Sequence, residues 1–316
     1  MPTIVFWSNW PSTPQSGITA ALPDDTVIPI KEEGDLSRAR DAEIAFCGLR
    51  EDRVRRLLDA APKLRWYHTP SAGVDRLVEV NEFRERGIVL TNNSGSYDIQ
   101  IAEHVLSFVF SAAKQLHLYR DQQAKREWKD QQHHELRGET LVVYGAGSIG
   151  GEVVRLAAAV GLRVVAIRRS GGAVPGASRV VTADRVGDAA AEADYFVVAA
   201  PLTAATRGAI SRAVLARMKP SAWIINIARG AIIDEPALVD ALRSGKLGGA
   251  ALDTFVKEPL AQDSPLWSMP NVVITPHTSN SSPKVRDRTL ALFVENVRRY
   301  KAGEPLLNRV DWDAGY

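Results

Sequence analysis

Leu141-Val142-Val143-Tyr144-Gly145-Ala146-Gly147-Ser148-Ile149-Gly150 places an apolar strand directly before a glycine-rich turn, and the chain continues from Glu152 to Val160 in a helical pattern that turns Val153, Leu156 and Ala157 inward. A second apolar run, Leu162 to Ile167, follows. Strand, turn, helix and strand in this order form a βαβ unit. Each glycine has a distinct task in it. Gly145 permits the tight turn, Gly147 admits a pyrophosphate against the backbone, and Gly150 lets helix and strand pack closely. The free N–H groups at the helix N-terminus attract phosphate, so Gly145, Gly147, Ser148, Ile149 and Gly150 are read as a dinucleotide-binding turn.

The second strand ends at Arg168-Arg169-Ser170, about 20 residues beyond the turn, where an NAD site places Asp or Glu on the ribose 2′-hydroxyl. Here the carboxylate is replaced by guanidinium. Arginine pairs bidentately with a 2′-phosphate and removes the repulsion an acid would exert, so Arg168, Arg169 and Ser170 favour NADP(H) over NAD(H).

Outward from this unit the alternation of short apolar runs and helical patterns extends in both directions. Upstream lie Thr3 to Trp7, Thr26 to Ile30, Ala42 to Cys47, Leu64 to Thr69 and Ile88 to Thr91, with an amphipathic helix over Glu51 to Ala60 turning Val54, Leu57 and Leu58 inward. Downstream lie Tyr195 to Ala199, Ala222 to Ile227, Gly249 to Leu252 and Val272 to Thr275, which with the first two runs make six strands. The expected fold is α/β, with two doubly wound parallel sheets. Tyr97 to Tyr119 reads as one long helix, Asp121 to Glu139 as an exposed polar arm, and Lys284 to Tyr300 as a returning helix before a short polar tail. Residues 1–96 with 284–316 are expected to form one domain and 97–283 the other.

Composition narrows the function. The 316 residues are 45% hydrophobic and 24% charged with a net charge of +2, a balance that offers no basic footprint for nucleic acid. No stretch approaches the roughly 20 apolar residues that span a bilayer, and the single Cys47 lies in an apolar run as a core residue. A cytoplasmic enzyme that meets neither membrane nor nucleic acid is expected.

Three downstream segments carry residues suited to hydride chemistry: Asn226-Ile227-Ala228-Arg229-Gly230, Asp253 through Glu258-Pro259, and Thr275-Pro276-His277-Thr278. Each follows an apolar run at its C-terminal end, where open α/β sheets gather ligands. Reduction of a 2-oxo acid needs a cation for the carboxylate and ketone, and an acid for the forming alkoxide. Arg229 and His277 fit those needs, and Glu258 would fix the imidazole tautomer.

This order of motifs resembles the D-2-hydroxyacid dehydrogenase family over essentially the whole chain. The resemblance implies substrate binding by Arg229, acid/base catalysis by His277 and assistance by Glu258. It further implies that Ser71, Ala72 and Gly73 of Ser71-Ala72-Gly73-Val74-Asp75 cradle the substrate carboxylate. Pro201, Leu202 and Thr206 would lie near the cofactor with Ile227 and Ala228, and Asp253 would contact the nicotinamide carboxamide. A flavodoxin-like substrate domain split by an inserted Rossmann domain, and a homodimer, are implied as well. Thr278-Ser279-Asn280 departs from the small residues common after the histidine, and Arg168 is similar to NADP-preferring glyoxylate and hydroxypyruvate reductases. Other readings of the chain are a 3-phosphoglycerate dehydrogenase-like enzyme and a non-catalytic dinucleotide sensor resembling corepressors of this fold.

The remaining candidates read as structural. His68, His104, His117, His133 and His134 have no catalytic motif around them, Glu103 caps or pairs on its helix, and the spacing His133-His134 matches no zinc site, so no metal is expected. Trp7 and Trp10 follow the first strand at its ligand-facing end, as pocket wall or core, and Trp128 on the arm is a candidate to reach a partner subunit.

Overall fold

The computed structural model describes residues 1–7, 15–48 and 50–316. Two compact units divide the chain: Met1–Tyr97 with Ser282–Tyr316, and Asp98–Ser281.

The first unit holds β1 (Thr3–Trp7), β2 (Thr26–Pro29), β3 (Ile44–Cys47), β4 (Trp66–His68) and β5 (Val89–Thr91), all parallel, in the order β2-β1-β3-β4-β5. That is the flavodoxin-like order. The strands read as unbroken apolar runs because both faces of the sheet are covered. Val5, Trp7, Ala45, Cys47 and Tyr67 face a cluster containing Val54, Leu57 and Leu58 of the helix Glu51–Ala60. Their alternates Ile4, Phe6, Ile44, Phe46 and Trp66 face Phe293 and Val297 of the helix Val285–Ala302. Trp7 is therefore a core residue, 2% exposed, with the Arg53 guanidinium 5.9 Å from its ring, and it does not wall a pocket. Trp10 lies outside the described residues. The C-terminal segment is more than a polar tail: Arg309 bridges antiparallel to Thr91, the Val310 N–H donates to the Leu90 carbonyl at 2.9 Å, and Val310 is buried.

The second unit holds β6 (Thr140–Tyr144), β7 (Arg163–Ile167), β8 (Arg179–Val181), β9 (Tyr195–Val198), β10 (Trp223–Asn226), β11 (Gly249–Leu252) and β12 (Val272–Ile274). They run parallel in the order β12-β11-β10-β9-β6-β7-β8, a Rossmann sheet with one added strand. The sequence pattern supplies six of these seven. It misses β8 because Arg179 there is exposed and only Val180 and Val181 are apolar.

The helix expected from Tyr97 to Tyr119 is two helices, Asp98–Ala113 and Leu116–Lys125, and the second extends into the segment read as arm. Gln115 takes a left-handed φ of 55° between them. The first buries Ile101, Val105, Leu106, Phe108 and Val109, whereas the second has no buried residue, so the apolar stripe that holds the first ends at the break. Among the described residues no helix is long and apolar enough to cross a membrane.

Candidate active site

Because every strand of the second unit is parallel, the loops leaving β6, β7, β9, β10, β11 and β12 all emerge at one edge of the sheet. The sequence-derived site residues of this unit sit on those loops, except Ser148, Ile149 and Gly150, which form the first turn of the helix Ser148–Ala159 after β6.

The turn after β6 needs its glycines for steric reasons. Gly145 has φ 101°, and a Cβ there would stand 2.4 Å from the Ala200 backbone. A Cβ at Gly150 would lie 2.1 Å from the Gly145 carbonyl oxygen, so helix Ser148–Ala159 can pack only on glycine. At Gly147 nothing lies within 4 Å of that position. This open, side-chain-free approach to a helix N-terminus fits a diphosphate. The Ser148 hydroxyl donates to the Asp98 carboxylate.

Arg168, Arg169 and Ser170 are exposed at the end of β7, and the Arg168 N–H is fixed to the Val181 carbonyl of β8 at 3.0 Å. No ion pair engages Arg168 among the described residues. After β9, Thr206 Oγ1 donates to the Pro201 carbonyl at 2.6 Å and accepts from the Thr203 N–H at 2.8 Å, which closes the Pro201 to Thr206 loop.

The loop after β10 is shaped by Asn226, a residue whose role the sequence did not disclose. Its buried amide accepts from the Ala228 N–H and donates to the Arg229 carbonyl, both at 3.0 Å. Gly230 follows because the backbone of Phe255 and Val256 passes over it, and a Cβ would come within 2.0 Å of Phe255. The Arg229 loop and the loop after β11 are thereby pressed together. The Arg229 guanidinium donates to the Ala228 carbonyl at 2.8 Å.

Glu258 and His277 meet directly: Nδ1 of the imidazole lies 2.8 Å from Oε2, and the other carboxylate oxygen accepts from the Phe255 N–H at 3.0 Å. Both side chains remain more than a third exposed, at 37% and 40%. With Nδ1 engaged by Glu258, Nε2 is the ring nitrogen left to face a reactant. His277 itself has a left-handed φ of 51°, unusual for a residue with a Cβ.

Asp253 holds that backbone in place. It is fully buried, and its carboxylate accepts from Thr275 Oγ1 at 2.6 Å, the Thr278 N–H at 2.8 Å and the Ser279 N–H at 3.2 Å, while its carbonyl accepts from the His277 N–H at 2.9 Å. His104 Nε2 stands 3.3 Å from the same Thr275 hydroxyl. Its pKa is lowered by burial, partly offset by the Asp253 charge. The observed partners of Asp253 are thus loop donors, which gives it a structural task that the family resemblance does not name.

In the first unit, Ser71 to Gly73 leave β4 in a loop tied by its carbonyls: Ser71 accepts from the Asn93 N–H at 2.9 Å and Ala72 from the Asn92 amide at 3.0 Å. The N–H groups of Ala72 and Gly73 donate to no acceptor among the described residues, an arrangement suited to a carboxylate. Trp128 is 99% exposed. No cluster of three His, Cys, Asp or Glu able to hold a metal occurs among the described residues.

Comparison with known proteins adds a family. The profile described as D-isomer specific 2-hydroxyacid dehydrogenase, NAD binding domain, matches residues 106–279. A D-isomer specific 2-hydroxyacid dehydrogenase from Xanthobacter autotrophicus Py2, solved with NADPH and MES, superimposes with a TM-score of 0.89 at 30% identity, covering 100% of this chain and 99% of that one. The NADPH-dependent glyoxylate/hydroxypyruvate reductase of Sinorhizobium meliloti, solved with NADP and sulfate, gives 0.86 at 27% identity with full coverage of both chains. The D-3-phosphoglycerate dehydrogenase of Methanocaldococcus jannaschii is 30% identical in an alignment of 312 positions that covers 93% of this chain and 59% of that protein.

Proposed function

Because the chain belongs to the D-isomer specific 2-hydroxyacid dehydrogenase family, we propose that it reduces small 2-oxo acids of the glyoxylate and hydroxypyruvate kind to D-2-hydroxy acids, with NADP(H) as its preferred cofactor. It is an NAD(P)-dependent oxidoreductase. The observation that carries the reading of its chemistry is the Glu258–His277 pair, 2.8 Å apart beside the Arg229 loop.

The reduced nicotinamide supplies the hydride when bound. Arg229 neutralises the substrate carboxylate and polarises the ketone, and His277 delivers the Nε2 proton to the alkoxide oxygen. Glu258 accepts from Nδ1 throughout, so the imidazolium is held in one orientation before transfer and the neutral ring in one tautomer after it. The unbonded amides of Ala72 and Gly73 are the backbone donors suited to a carboxylate. The diphosphate belongs at Gly145 to Gly150, and Arg168 with Arg169 and Ser170 takes the 2′-phosphate. Ile99, Phe110 and Leu116 are exposed apolar side chains on the helices Asp98–Ala113 and Leu116–Lys125, of the kind that a second copy would cover in a homodimer.

The test is steady-state kinetics with glyoxylate and NADPH on the wild type and on His277→Asn. The expected result is a loss of kcat of about 10²-fold or more with NADPH binding retained. Unchanged turnover in the variant would remove His277 from the proton-transfer role.

A further inference from the structure

A second cavity lies at the opposite edge of the Rossmann sheet. The N-terminal ends of β6, β9, β10, β11 and β12 open with the Gln115 break onto a space of about 300 Å³, lined among others by His117, His134, Glu139, Asp194, Tyr195 and Trp223. With about 3.3 Å per strand residue, β6 separates this space from the glycine-rich turn by about 15 Å. It is therefore distinct from the cofactor region.

Its charges are unevenly satisfied. Asp194 is neutralised by Lys219 at 2.7 Å and accepts from the Thr140 N–H at 2.8 Å. Glu139 stands against the Tyr195 hydroxyl and 3.5 Å from the His134 ring through Oε1, while its Oε2 is sealed from water with no hydrogen bond among the described residues. Burial holds His117 below its ordinary range, against the Ser111 carbonyl and the Asp121 charge. Burial, followed by the negative charges of Glu139 and Asp194, keeps the Tyr195 hydroxyl protonated far above its usual range. Two carboxylates, Glu139 and Asp194, thus line the cavity, and Lys219 pairs with the second.

Its walls are aromatic. The His117 ring stands edge-on to Trp223 with centroids 5.0 Å apart. The indole is fixed from below by Gly249, where a Cβ would reach 2.4 Å from the ring. Negative charge beside aromatic rings suits a cation, and no cluster of three His, Cys, Asp or Glu among the described residues is arranged for a metal ion. A space of this size accepts a small metabolite. We propose that the cavity is a binding site for a small organic ammonium, with Glu139 as its counter-ion and the Trp223, Tyr195 and His117 rings as its wall.

Isothermal titration of the full chain with butane-1,4-diamine, butane-1,4-diol and butanedioate tests this site. The diamine is expected to bind with a Kd of about 1 mM or tighter, and the diol and dianion at least about tenfold more weakly. Glu139→Gln should weaken the diamine about tenfold, and Ser221→Phe, which fills the cavity from an exposed position, should abolish its binding, with NADPH titration unchanged in both. Equal affinity for diamine and diol, absence of diamine binding, or undiminished binding in a folded variant would overturn the proposal.

Discussion

Oε2 of Glu258 lies 2.8 Å from Nδ1 of His277, and Oε1 of the same carboxylate is anchored by the Phe255 N–H. The carboxylate is thus aimed by backbone from β11's loop at a ring carried by β12's loop. Glu258→Gln preserves the shape and one acceptor but removes the charge that stabilises an imidazolium. A fall in kcat of about 10- to 100-fold with a smaller change in KM is expected, measured with glyoxylate and NADPH. An equal loss confined to KM would mean that Glu258 binds substrate instead of supporting the proton donor.

Asp253 yields a prediction about stability as well as catalysis. Its carboxylate satisfies two loop N–H groups and the Thr275 hydroxyl in a fully buried position. Asp253→Ala leaves those donors without an acceptor, and a stability loss of about 3 kcal/mol is expected in urea unfolding, together with a lowered kcat because the left-handed His277 backbone is no longer held. Asp253→Asn, which keeps one acceptor oxygen, should lose less of both. Full stability in the alanine variant would contradict the role given to this carboxylate.

Arg168 makes the cofactor preference testable in isolation. Arg168→Asp should raise the KM for NADPH by about tenfold or more and leave NADH turnover unchanged or improved, since an acid repels the 2′-phosphate and accepts from a 2′-hydroxyl. Unchanged selectivity would move the preference to other residues.

His68 predicts an acid limit for the first unit. It is fully buried against Phe46, Phe293 and Trp66, with Nδ1 2.8 Å from Thr91 Oγ1, and burial lowers its pKa from 6.5 to about 3. Below about pH 6.5 the unfolded chain takes up a proton that the folded chain refuses. Stability therefore falls as pH drops through this window, by up to about 1.4 kcal/mol per unit, and the penalty stops growing near pH 3. In His68→Phe the slope of unfolding free energy against pH, between about pH 6 and pH 4, should be shallower. An identical slope would assign the acid sensitivity elsewhere.

The sequence disclosed those parts of the molecule that are written as local pattern. β6, its turn, the following helix and β7 are contiguous, and the two periodicities and the glycines each have one physical reading. Glu258 and His277 were nameable because each sits just beyond an apolar run, although their hydrogen bond depends on β11 and β12 being neighbours. What escaped notice was assembled across distance or carried by few residues. β8 has two apolar positions, the Gln115 break contains neither glycine nor proline, and the bridge of Arg309 to Thr91 spans most of the chain. Asn226 acts on the backbone of its own loop, Gly230 on the passing backbone of Phe255 and Val256, and Thr275 on the Asp253 carboxylate, contacts that no periodicity encodes.

The most direct measurement is the oxidation of NADPH and of NADH by the purified protein, followed by absorbance, across a panel of 2-oxo acids that includes glyoxylate, hydroxypyruvate and 3-phosphohydroxypyruvate. The predicted result is turnover of the small unphosphorylated acids, with kcat/KM at least about tenfold higher for NADPH than for NADH. Binding of NADPH without turnover of any acid in the panel would contradict it and favour a dinucleotide sensor.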